Sequence, residues 1–419
     1  MLDIKIIRDN PDLVKDNIKK RWLKLDLNIF LEIDSKKLDL IIKVDELRAI
    51  KNKVSKEIAT LSNEERPAKI SEMKKLWDDL KILEDKQDEV EKLWKELYYQ
   101  IPNLLDETAA IWDTDENNEL VSKFLEPTKF DFAPKHHYEI WEAKWWIDSE
   151  KWSEVSWARF WYLKWDLVLL QFALINYAMS KLVPKGFNPI LPPVLVREKA
   201  MFGTGFFPAG EDGLYRVNPE EDDLHLVGTS EVPVTSYHGW ETLDLEEAKM
   251  YVAYSSCFRR EAGSAWKDMR WILRWHQFDK IEMVSFCKSE DSEKLHDFMI
   301  WVEEEIWEWL KIPFQKVNVC SWDLWNPAMK KYDLEAWMPW QEKYREVTSC
   351  SNIWEYQSRR LAIKYRDSNG DSKYAHTLNG TIIAMSRCMI AIIENYQTAE
   401  GNVKIPEVLV PFMWWKTQI

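Results

Sequence analysis

The chain has 419 residues, of which 46% are hydrophobic and 31% are charged, and this is enough to build the cores of two or three domains. Its net charge of -14 excludes a histone-like nucleic-acid binder, so any contact with RNA has to come from a local basic face. Only 11 residues are Gly, all from Gly186 onward, against 25 Trp, and this excludes a linker-rich or collagenous protein.

The cysteines and the apolar runs bear on where the protein works. The five cysteines are scattered and form no CxxC pair, which indicates reduced thiols rather than a disulfide framework or a zinc site. The first residues carry no apolar signal region, and no run reaches the 18 apolar residues of a membrane span. We therefore expect a cytoplasmic protein that makes no contact with a membrane.

The first hundred residues predict a helical hairpin. Asn10 and Pro11 offer an N-cap and a proline at the first helical position, so a short helix is expected over 11–21. Apolar residues then recur at helical spacing over 47–61, and over 73–97 they keep the three-and-four spacing that is typical of a coiled coil. The polar break at 62–67 is short, so the two long helices have to be antiparallel, in an arm of roughly 45 Å.

The outer surface of this arm has two interpretations. Its first helix carries seven basic residues against four acidic ones over 36–58. In a chain of net charge -14, that local excess could bind the phosphates of a nucleic acid. An ordinary solvated helix surface is the alternative, and the charge count by itself favours it.

After the arm the pattern changes to mixed helices and strands. We expect an N-terminal arm at 1–105, an acidic linker at 106–130 and a larger domain at 131–419. In the larger domain, helices are expected over 165–181, 289–310 and 385–396, and strands over 251–261, 276–286, 314–319, 336–338 and 345–349. This order of elements predicts an α+β fold built on an antiparallel sheet.

Two of these strands carry chemically useful side chains. Residues two apart on a strand point the same way, so Arg259 shares a face with Glu261, and Phe278 shares one with Glu282. If the two strands form one hairpin, a guanidinium, two carboxylates and an aromatic ring converge. That set suits a nucleotide and a cationic substrate, because Arg binds phosphate, a ring stacks on a base and carboxylates hold amino groups. A salt-bridged, exposed sheet face fits the pattern equally well.

Seven strings in the second part of the chain point to one family. They are GFNPILPP at 186–193, FGTG at 202–205, GTSEVP at 228–233, CFRREAGSA at 257–265, HQFDKIE at 276–282, REVTSCSN at 345–352 and HTLNGT at 376–381. In this order behind a helical arm, they resemble the motifs of class II aminoacyl-tRNA synthetases, and specifically of bacterial-type seryl-tRNA synthetases. Pro193 falls at the family's dimer-interface proline, and Ser230 replaces a more usual alanine.

The resemblance implies an activity, cofactors and partners. Such enzymes use ATP and Mg²⁺ to activate L-serine to seryl-adenylate, pass the serine to the terminal ribose of tRNA(Ser), and work as homodimers. Whether tRNA(Sec) is also charged is left open. The implied fold is an antiparallel α-helical coiled-coil hairpin followed by an antiparallel β-sheet core flanked by helices. The implied tRNA-binding residues are Arg48, Lys51, Lys53, Lys267 and Arg270.

The resemblance also assigns residues to the active site. Arg259 would bind the α-phosphate and the substrate carboxylate, and Arg387 the γ-phosphate, which makes these two the catalytic residues. Phe278 would stack on adenine. The implied ATP-binding set is Arg259, Arg260, Glu261, Phe278, Glu346, Val347, Thr348, Ser349 and Arg387. The implied serine-binding set is Thr229, Ser230, Glu231, Arg259, Glu282 and Thr381.

The implied metal ligands set a structural condition. Glu346 and Ser349 would hold Mg²⁺ between the phosphates, yet they are three residues apart. A regular strand would send them to opposite faces of the sheet. If both contact one metal ion, the strand needs a bulge or has to end there.

Trp stands at many positions where the resembling sequences have Gly. We count eleven such positions: Trp22, Trp112, Trp141, Trp157, Trp165, Trp266, Trp271, Trp322, Trp325, Trp414 and Trp415. Random mutation does not convert Gly to one other residue so selectively. One hypothesis explains the pattern: the source reads the codon UGA as glycine, whereas this amino-acid sequence reads it as Trp. Literal Trp would crowd the loop beside the ATP site and overpack the core.

Two other functions remain open. A related ligase could load an amino acid onto a carrier protein, but such relatives lack a long arm, so the hairpin argues against it. A synthetase-derived, non-catalytic RNA-binding or scaffold protein is the second alternative, and it is favoured if the Trp residues are literal.

Overall fold

The computed structural model describes residues 1–148, 151, 154–156, 160–208, 210–260 and 275–419. The chain divides into two compact units. The arm unit comprises Asp3–Lys19 and Leu23–Pro102, and the sheet unit comprises Met1–Leu2, Lys20–Trp22 and Asn103–Ile419.

The helices within these ranges are α1 (Ile4–Asp9), α2 (Pro11–Lys20), α3 (Leu27–Thr60), α4 (Arg66–Tyr98), α5 (His137–Ala143), α6 (Asp166–Leu182), α7 (Glu198–Thr204), α8 (Glu231–Tyr237), α9 (Ser292–Trp309), α10 (Tyr356–Leu361) and α11 (Met385–Asn395). Six of these eleven helices correspond to predicted ones, whereas α1, α5, α7, α8 and α10 were not predicted.

The arm unit contains the antiparallel hairpin that the spacing predicts. Lys37 on α3 forms an ion pair of 2.7 Å with Glu91 on α4, and nearer the tip Arg48 pairs with Glu84 at 2.8 Å. Since the residue number rises on one helix as it falls on the other, the helices run antiparallel. At the base of the arm, Asp34 accepts hydrogen bonds from Arg8 and Trp94. This buried carboxylate fixes the register of the two helices.

The strands of the sheet unit are β1 (Glu119–Phe124), β2 (Asn188–Ile190), β3 (Leu195–Arg197), β4 (Tyr215–Val217), β5 (Leu224–Leu226), β6 (Thr242–Leu243), β7 (Lys249–Phe258), β8 (Gln277–Cys287), β9 (Phe314–Asn318), β10 (Lys330–Met338), β11 (Lys343–Trp354), β12 (Lys364–Arg366), β13 (Ser372–Tyr374) and β14 (His376–Ala384). Eight of them form one sheet in the order β1-β9-β10-β11-β14-β8-β7-β2. Every pairing in it is antiparallel except that of β2 with β7. The predicted α+β class is confirmed.

Three strands differ from their predicted bounds by three residues or more. β11 runs to Trp354, five residues past the predicted end at 349. β7 ends at Phe258, three residues before the predicted end at 261. β10 starts at Lys330 rather than at 336. The prediction missed its first half because the charged residues there do not show the pattern of a strand. Lys331 and Asp333 nevertheless lie in the sheet, where they form a buried ion pair of 3.2 Å.

The main core lies between one face of the large sheet and three helices. Helices α6, α9 and α11 contribute Leu170, Leu174, Met299, Ile306, Met389 and Ile392, and the sheet contributes Met283, Leu334 and Ala336. All of these side chains are fully buried. The helices therefore cover one face of the central strands and leave the other face to form a site.

One helix among the described residues is long and apolar enough to cross a membrane by length and composition alone. The segment spans 166–185, with a mean hydropathy of 1.4. Length and composition are the only criteria that it meets, and the core helix of a globular protein meets the same ones. In this structure Leu170, Leu174 and Tyr177 of the helix are buried in the main core.

Candidate active site

A cavity of about 590 Å³ opens over the central strands of the large sheet. Its walls come from β8, β11 and β14, from the start of α8, and from Arg259 just beyond β7. The cavity brings together eleven of the predicted site residues: Thr229, Glu231, Arg259, Phe278, Glu282, Glu346, Val347, Thr348, Ser349, Thr381 and Arg387. Residues that are up to 158 positions apart in the chain thus line one space.

The predicted hairpin of two strands forms one wall. β7 and β8 pair antiparallel, with Cys257 opposite Phe278. Along β8, the side chains of Phe278, Lys280 and Glu282 alternate into the cavity, while Ile281 and Met283 are buried in the main core. The alternation predicted for this strand is confirmed.

Arg259 reaches the cavity by a different route from the one that strand parity suggests. Because β7 ends at Phe258, the alternation does not extend to Arg259. Its backbone N–H donates to the His276 carbonyl at 2.9 Å, and its Nε donates to the Gly228 carbonyl at 3.2 Å. These bonds hold the guanidinium carbon 5.4 Å from the centre of the Phe278 ring. A cation that can bind a phosphate and an aromatic face that can stack on a base thus lie side by side.

A β-bulge places four consecutive residues of β11 at the cavity. Thr348 pairs with Leu334 on β10, but the next pair joins Glu346 to Glu335, so Val347 has no opposite partner. All residues from Glu346 to Ser349 line the cavity as a result. This irregularity meets the condition that the sequence sets for a shared metal site.

Glu346 and Arg387 form an ion pair at the mouth of the cavity. Arg387 Nη1 lies 3.0 Å from Glu346 Oε1 and donates to the Glu346 carbonyl at 2.9 Å. Desolvation acts to raise the pKa of Glu346, but the charges of Arg387 and Lys331 hold it below its ordinary value. An ionised carboxylate beside a hydroxyl suits Mg²⁺, which takes few protein ligands when phosphates supply the rest.

The opposite end of the cavity is acidic and nearly enclosed. Glu231 is 5% exposed and Glu282 is 2% exposed. Burial, and then repulsion from Glu282, raise the pKa of Glu231 to about 7. Lys280 forms an ion pair with Glu282, and the Thr381 hydroxyl donates to Glu282 at 3.3 Å. Two carboxylates and a hydroxyl at this end can hold a small ammonium compound that carries its own hydroxyl.

The remaining predicted residues are not brought to the cavity wall. Ser230 is fully buried, and Arg260 lies at the surface with its backbone N–H donating to the Gly213 carbonyl. Glu261, Lys267 and Arg270 lie outside the described residues, as does most of the loop that contains them.

The basic residues predicted on the arm are exposed, but they are not equivalent. Lys51 and Lys53 project from α3 into solvent. Arg48 is also exposed, yet it is bound to Glu84 across the hairpin. Its charge is therefore partly neutralised within the arm.

The sequence analysis did not single out several polar residues of the site, and four of them show why. Lys280 and Asn379 line the cavity and lie two positions before Glu282 and Thr381, so strand alternation could have found both. Lys331 also lines the cavity, on the part of β10 that was not predicted as a strand. Gln357 lies behind the wall and bonds to Glu231, and no local sequence signal marks it.

Comparison with known proteins gives this arrangement a family. Residues 1–105 match the model described as the seryl-tRNA synthetase N-terminal domain, and residues 215–396 match the tRNA synthetase class II core domain (G, H, P, S and T). The serine–tRNA ligase of Dictyoglomus turgidum is 41% identical over 99% of this chain and 98% of its own length. The chain belongs to the seryl-tRNA synthetase family.

Other members of the family agree in length and in fold. The serine–tRNA ligase of Rhodococcus jostii is 41% identical over 99% of this chain and 98% of its own length. The crystal structure of seryl-tRNA synthetase from Pyrococcus horikoshii complexed with ATP superposes with a TM-score of 0.88. It is 34% identical, and the match covers 100% of this chain and 99% of that chain. The family thus accounts for both units, including the arm.

Proposed function

We propose that this protein is a serine–tRNA ligase. It activates L-serine with ATP to give seryl-adenylate and pyrophosphate, and then transfers the seryl group to the terminal ribose of tRNA(Ser). The observation that carries the proposal is the single cavity lined by eleven of the residues that the family's motifs mark. A relative from Pyrococcus horikoshii, solved with ATP, supports the nucleotide substrate.

Activation needs charge stabilisation more than it needs a nucleophilic side chain. An oxygen of the serine carboxylate attacks the α-phosphorus, and pyrophosphate leaves with its electrons. Negative charge then grows on the phosphate oxygens, where Arg259 and Arg387 stabilise it by charge-assisted hydrogen bonds. Phe278 stacks on the adenine ring. Glu346 and Ser349 would hold Mg²⁺, which supplies further charge neutralisation between the phosphates.

Serine is selected in the acidic end of the cavity. Glu231 and Thr229 lie at the start of α8, while Glu282 and Thr381 face each other from β8 and β14. An alanine in this space would leave a buried polar partner of the serine hydroxyl without a hydrogen bond. That loss is the physical basis of discrimination between two amino acids that differ by one hydroxyl.

The arm guides the tRNA to the cavity. Basic residues of α3, among them Arg48, Lys51 and Lys53, would bind the RNA backbone, and Lys267 with Arg270 would meet the acceptor end. We assign residues 1–105 to this arm, 106–130 to a linker and 131–419 to the catalytic domain. tRNA(Ser) is the proposed substrate, and charging of tRNA(Sec) is tested in the same assay.

The working protein is a cytoplasmic homodimer in this proposal. β2 is an edge strand of the large sheet, and Leu191 directly after it is 78% exposed. An apolar side chain beside an open strand edge is suited to an interface between two copies. All five cysteines are free and buried, which agrees with a reducing compartment.

Amino-acid-dependent exchange of pyrophosphate into ATP tests the proposal. We expect exchange to be far faster with serine than with alanine or glycine. Subsequent charging should occur with tRNA and not with a carrier protein, which separates this function from that of a carrier ligase. A chain that catalyses no exchange with any amino acid would instead support the scaffold alternative.

A further inference from the structure

A buried network of amides holds the carboxylate at the acidic end of the cavity. Oxygen Oε1 of Glu231 accepts hydrogen bonds from Gln357 Nε2 at 2.7 Å and from Asn379 Nδ2 at 2.9 Å. Asn379 lines the cavity, whereas Gln357 is fully buried on α10 and does not. Gln357 can therefore act on a substrate only through Glu231.

The orientation of the Gln357 amide is fixed by its other partners. Nε2 also donates to the Thr204 carbonyl at 3.0 Å, and Oε1 accepts from the Thr377 hydroxyl at 2.8 Å. Rotating the amide by half a turn would set its oxygen against the Glu231 carboxylate and the Thr204 carbonyl. Since both of those groups are acceptors, only one orientation is compatible with the site.

We propose that Gln357 is a positioning residue for the amino-acid substrate: it fixes the rotamer and the charge of Glu231. With Oε1 held by two amides, the other carboxylate oxygen of Glu231 takes the α-ammonium group of serine. This role rests on the proposed serine activation. It goes beyond the family motifs, which mark Glu231 and not the residue behind it.

The electrostatics around Glu231 show why a donor is needed there. The charged groups that face it are Glu282 and Lys280 on β8 and Arg259 beyond β7. Burial and Glu282 raise the pKa of Glu231, whereas the hydrogen bond from Gln357 lowers it. Loss of that donor will shift the carboxyl towards its neutral form, which holds an ammonium poorly.

The test compares Gln357→Met and Gln357→Glu with Gln397→Met in the full chain. Gln397 is the matched control, because it is equally buried but binds Lys135 and Glu394 outside the cavity. For Gln357→Met we expect the KM for serine to rise about tenfold or more, with the KM for ATP unchanged. The acid limb of its pH profile should move to higher pH. Gln357→Glu should raise the KM for serine as well, since the carboxylate that it introduces cannot donate to Glu231 and raises the pKa of Glu231 further.

Three results would overturn the role. One is a serine KM that is unchanged in Gln357→Met. Another is a parallel rise in the KM for ATP and for serine, and the third is an equal effect from Gln397→Met. If the unmodified protein shows no serine-dependent exchange, the proposed function fails as well, so the two failures are distinguishable.

A second inference follows from the backbone conformation and concerns the Trp residues. Twelve non-glycine residues in the described ranges have φ between +48° and +65°, and seven of them are Trp: Trp22, Trp145, Trp165, Trp240, Trp354, Trp414 and Trp415. Positive φ favours glycine, because a β-carbon clashes with the backbone there. One amino-acid type, the one with the largest side chain, accounts for seven of the twelve non-glycine positions with positive φ.

Two of these positions are helix ends where glycine is the usual residue. After α5, the Trp145 N–H donates to the Glu142 carbonyl and the Trp146 N–H to the Trp141 carbonyl, both at 3.1 Å. This is the Schellman pattern, with Trp145 at the left-handed position. The Leu23 N–H donates in the same way to the Ile18 carbonyl at 3.2 Å, with Trp22 at the left-handed position.

Trp165 is the most demanding case. It caps the start of α6 with φ 58° and ψ -131°, a combination that is almost confined to glycine. Its ring is 69% exposed, so side-chain packing offers little compensation. The backbone at this point fits a residue with no β-carbon.

We infer that the functional protein has glycine at these seven positions, and hence that the codon written here as Trp is translated as glycine in the source. Four of them, Trp22, Trp165, Trp414 and Trp415, are among the eleven that the sequence hypothesis names. The positive φ of Trp145, Trp240 and Trp354 adds these three residues to the positions where glycine is expected. Trp112, Trp141, Trp322 and Trp325 have no positive φ, and Trp157, Trp266 and Trp271 lie outside the described residues.

Peptide mass spectrometry on protein isolated from its source tests the inference directly. We expect glycine at residues 145, 165 and 240, and tryptophan there would overturn it. Trp165→Gly and Trp165→Ala in the recombinant chain give a second test, since only glycine removes the β-carbon. Trp165→Gly should raise the unfolding temperature above that of Trp165→Ala. The order should reverse at Trp301 inside α9, and equal values at residue 165 would contradict the inference.

Discussion

Thr381 is the residue at which serine and alanine should be told apart. Its hydroxyl lies 3.3 Å from one Glu282 oxygen and 3.4 Å from the other, and Lys280 Nζ lies 3.5 Å away. Thr381 is 6% exposed and lines the cavity. A serine hydroxyl entering this group completes a network that alanine leaves open.

Replacing this hydroxyl should weaken the selection of serine over alanine but should still allow an amino acid to bind. For Thr381→Val we expect kcat/KM for serine in the exchange assay to fall about tenfold to hundredfold, because one buried hydrogen-bond partner is lost. Alanine-dependent exchange should not fall. Thr235→Val is the control, since the buried Thr235 hydroxyl has no hydrogen-bond partner among the described residues and lies outside the cavity. An equal loss with both amino acids would show that Thr381 does not select.

A buried pair of histidines shows that proximity alone does not make a metal site. His136, His137 and Glu394 place potential ligand atoms within 4.8 Å of one another. His137 Nδ1 and Glu394 Oε1 are only 2.5 Å apart, however, which is a direct hydrogen bond with no space for an ion. Burial lowers the pKa of His137 to about 3, so the ring is neutral at pH 7. The cluster ties α5 to α11.

Among the secondary-structure elements, the two helices of the arm are joined by two separate sets of side-chain contacts. Asp34, Lys37, Glu91 and Trp94 bind one another near the base, while Arg48 and Glu84 pair farther out. No predicted catalytic residue lies on the arm. A shortened hairpin that keeps the base contacts should therefore leave the catalytic cavity unchanged.

Shortening the arm should separate the two steps of the reaction. We expect a variant in which 41–88 is replaced by a short glycine-serine turn to keep serine-dependent exchange within about twofold, because the cavity is untouched. Aminoacylation of tRNA should fall by at least about a hundredfold, because the RNA loses its contacts with the arm. Exchange and charging measured on one preparation decide the matter. Charging that survives the excision would show that the arm does not guide tRNA.

Point variants on the two faces of the arm refine this test. Lys51→Ala with Lys53→Ala on α3 should weaken charging and reduce its dependence on salt, since fewer phosphate contacts release fewer counterions. Lys81→Ala with Lys86→Ala on α4 is the matched control, with equal charge removed from exposed positions. Equal effects from the two pairs would mean that the basic excess on α3 is an ordinary solvated surface.

At the scale of the whole molecule, the strain at Trp positions has consequences for stability. A β-carbon in the left-handed region costs about 1–2 kcal/mol per residue. Seven such positions therefore approach the roughly 5–15 kcal/mol that stabilises a typical domain. A chain made with literal Trp is expected to be marginally stable, and the glycine form is the one in which activity should be measured first.

Assembly is the second property of the whole molecule that can be tested. Leu191 is 78% exposed beside the edge strand β2. Leu191→Glu should therefore place a charge in the proposed dimer interface. We expect this variant to be monomeric when its mass is measured by light scattering. Leu120→Glu, on the edge strand β1, is the control, because Leu120 is 50% exposed at the opposite edge of the sheet. Dimers that persist in Leu191→Glu, or monomers in both variants, would contradict this location of the interface.

Elements with strong periodicity and residues within continuous motifs could be predicted from the amino-acid sequence. The arm was predicted from apolar spacing over 73–97, and the alternation of Phe278 and Glu282 on β8 from the two-residue period of a strand. Both are properties of neighbouring residues, so local steric rules suffice. The family motifs then marked eleven of the residues that line the cavity.

The contacts between distant parts of the chain could not be predicted in this way. The fold ends β7 at Phe258, places the charged start of β10 inside the sheet, and brings Gln357 behind Glu231, 126 residues away. It also added Trp145, Trp240 and Trp354 to the positions where glycine is needed. Burial, ion pairing and φ at these positions depend on contacts between residues that are far apart in the chain. Rules about neighbouring residues therefore cannot predict them.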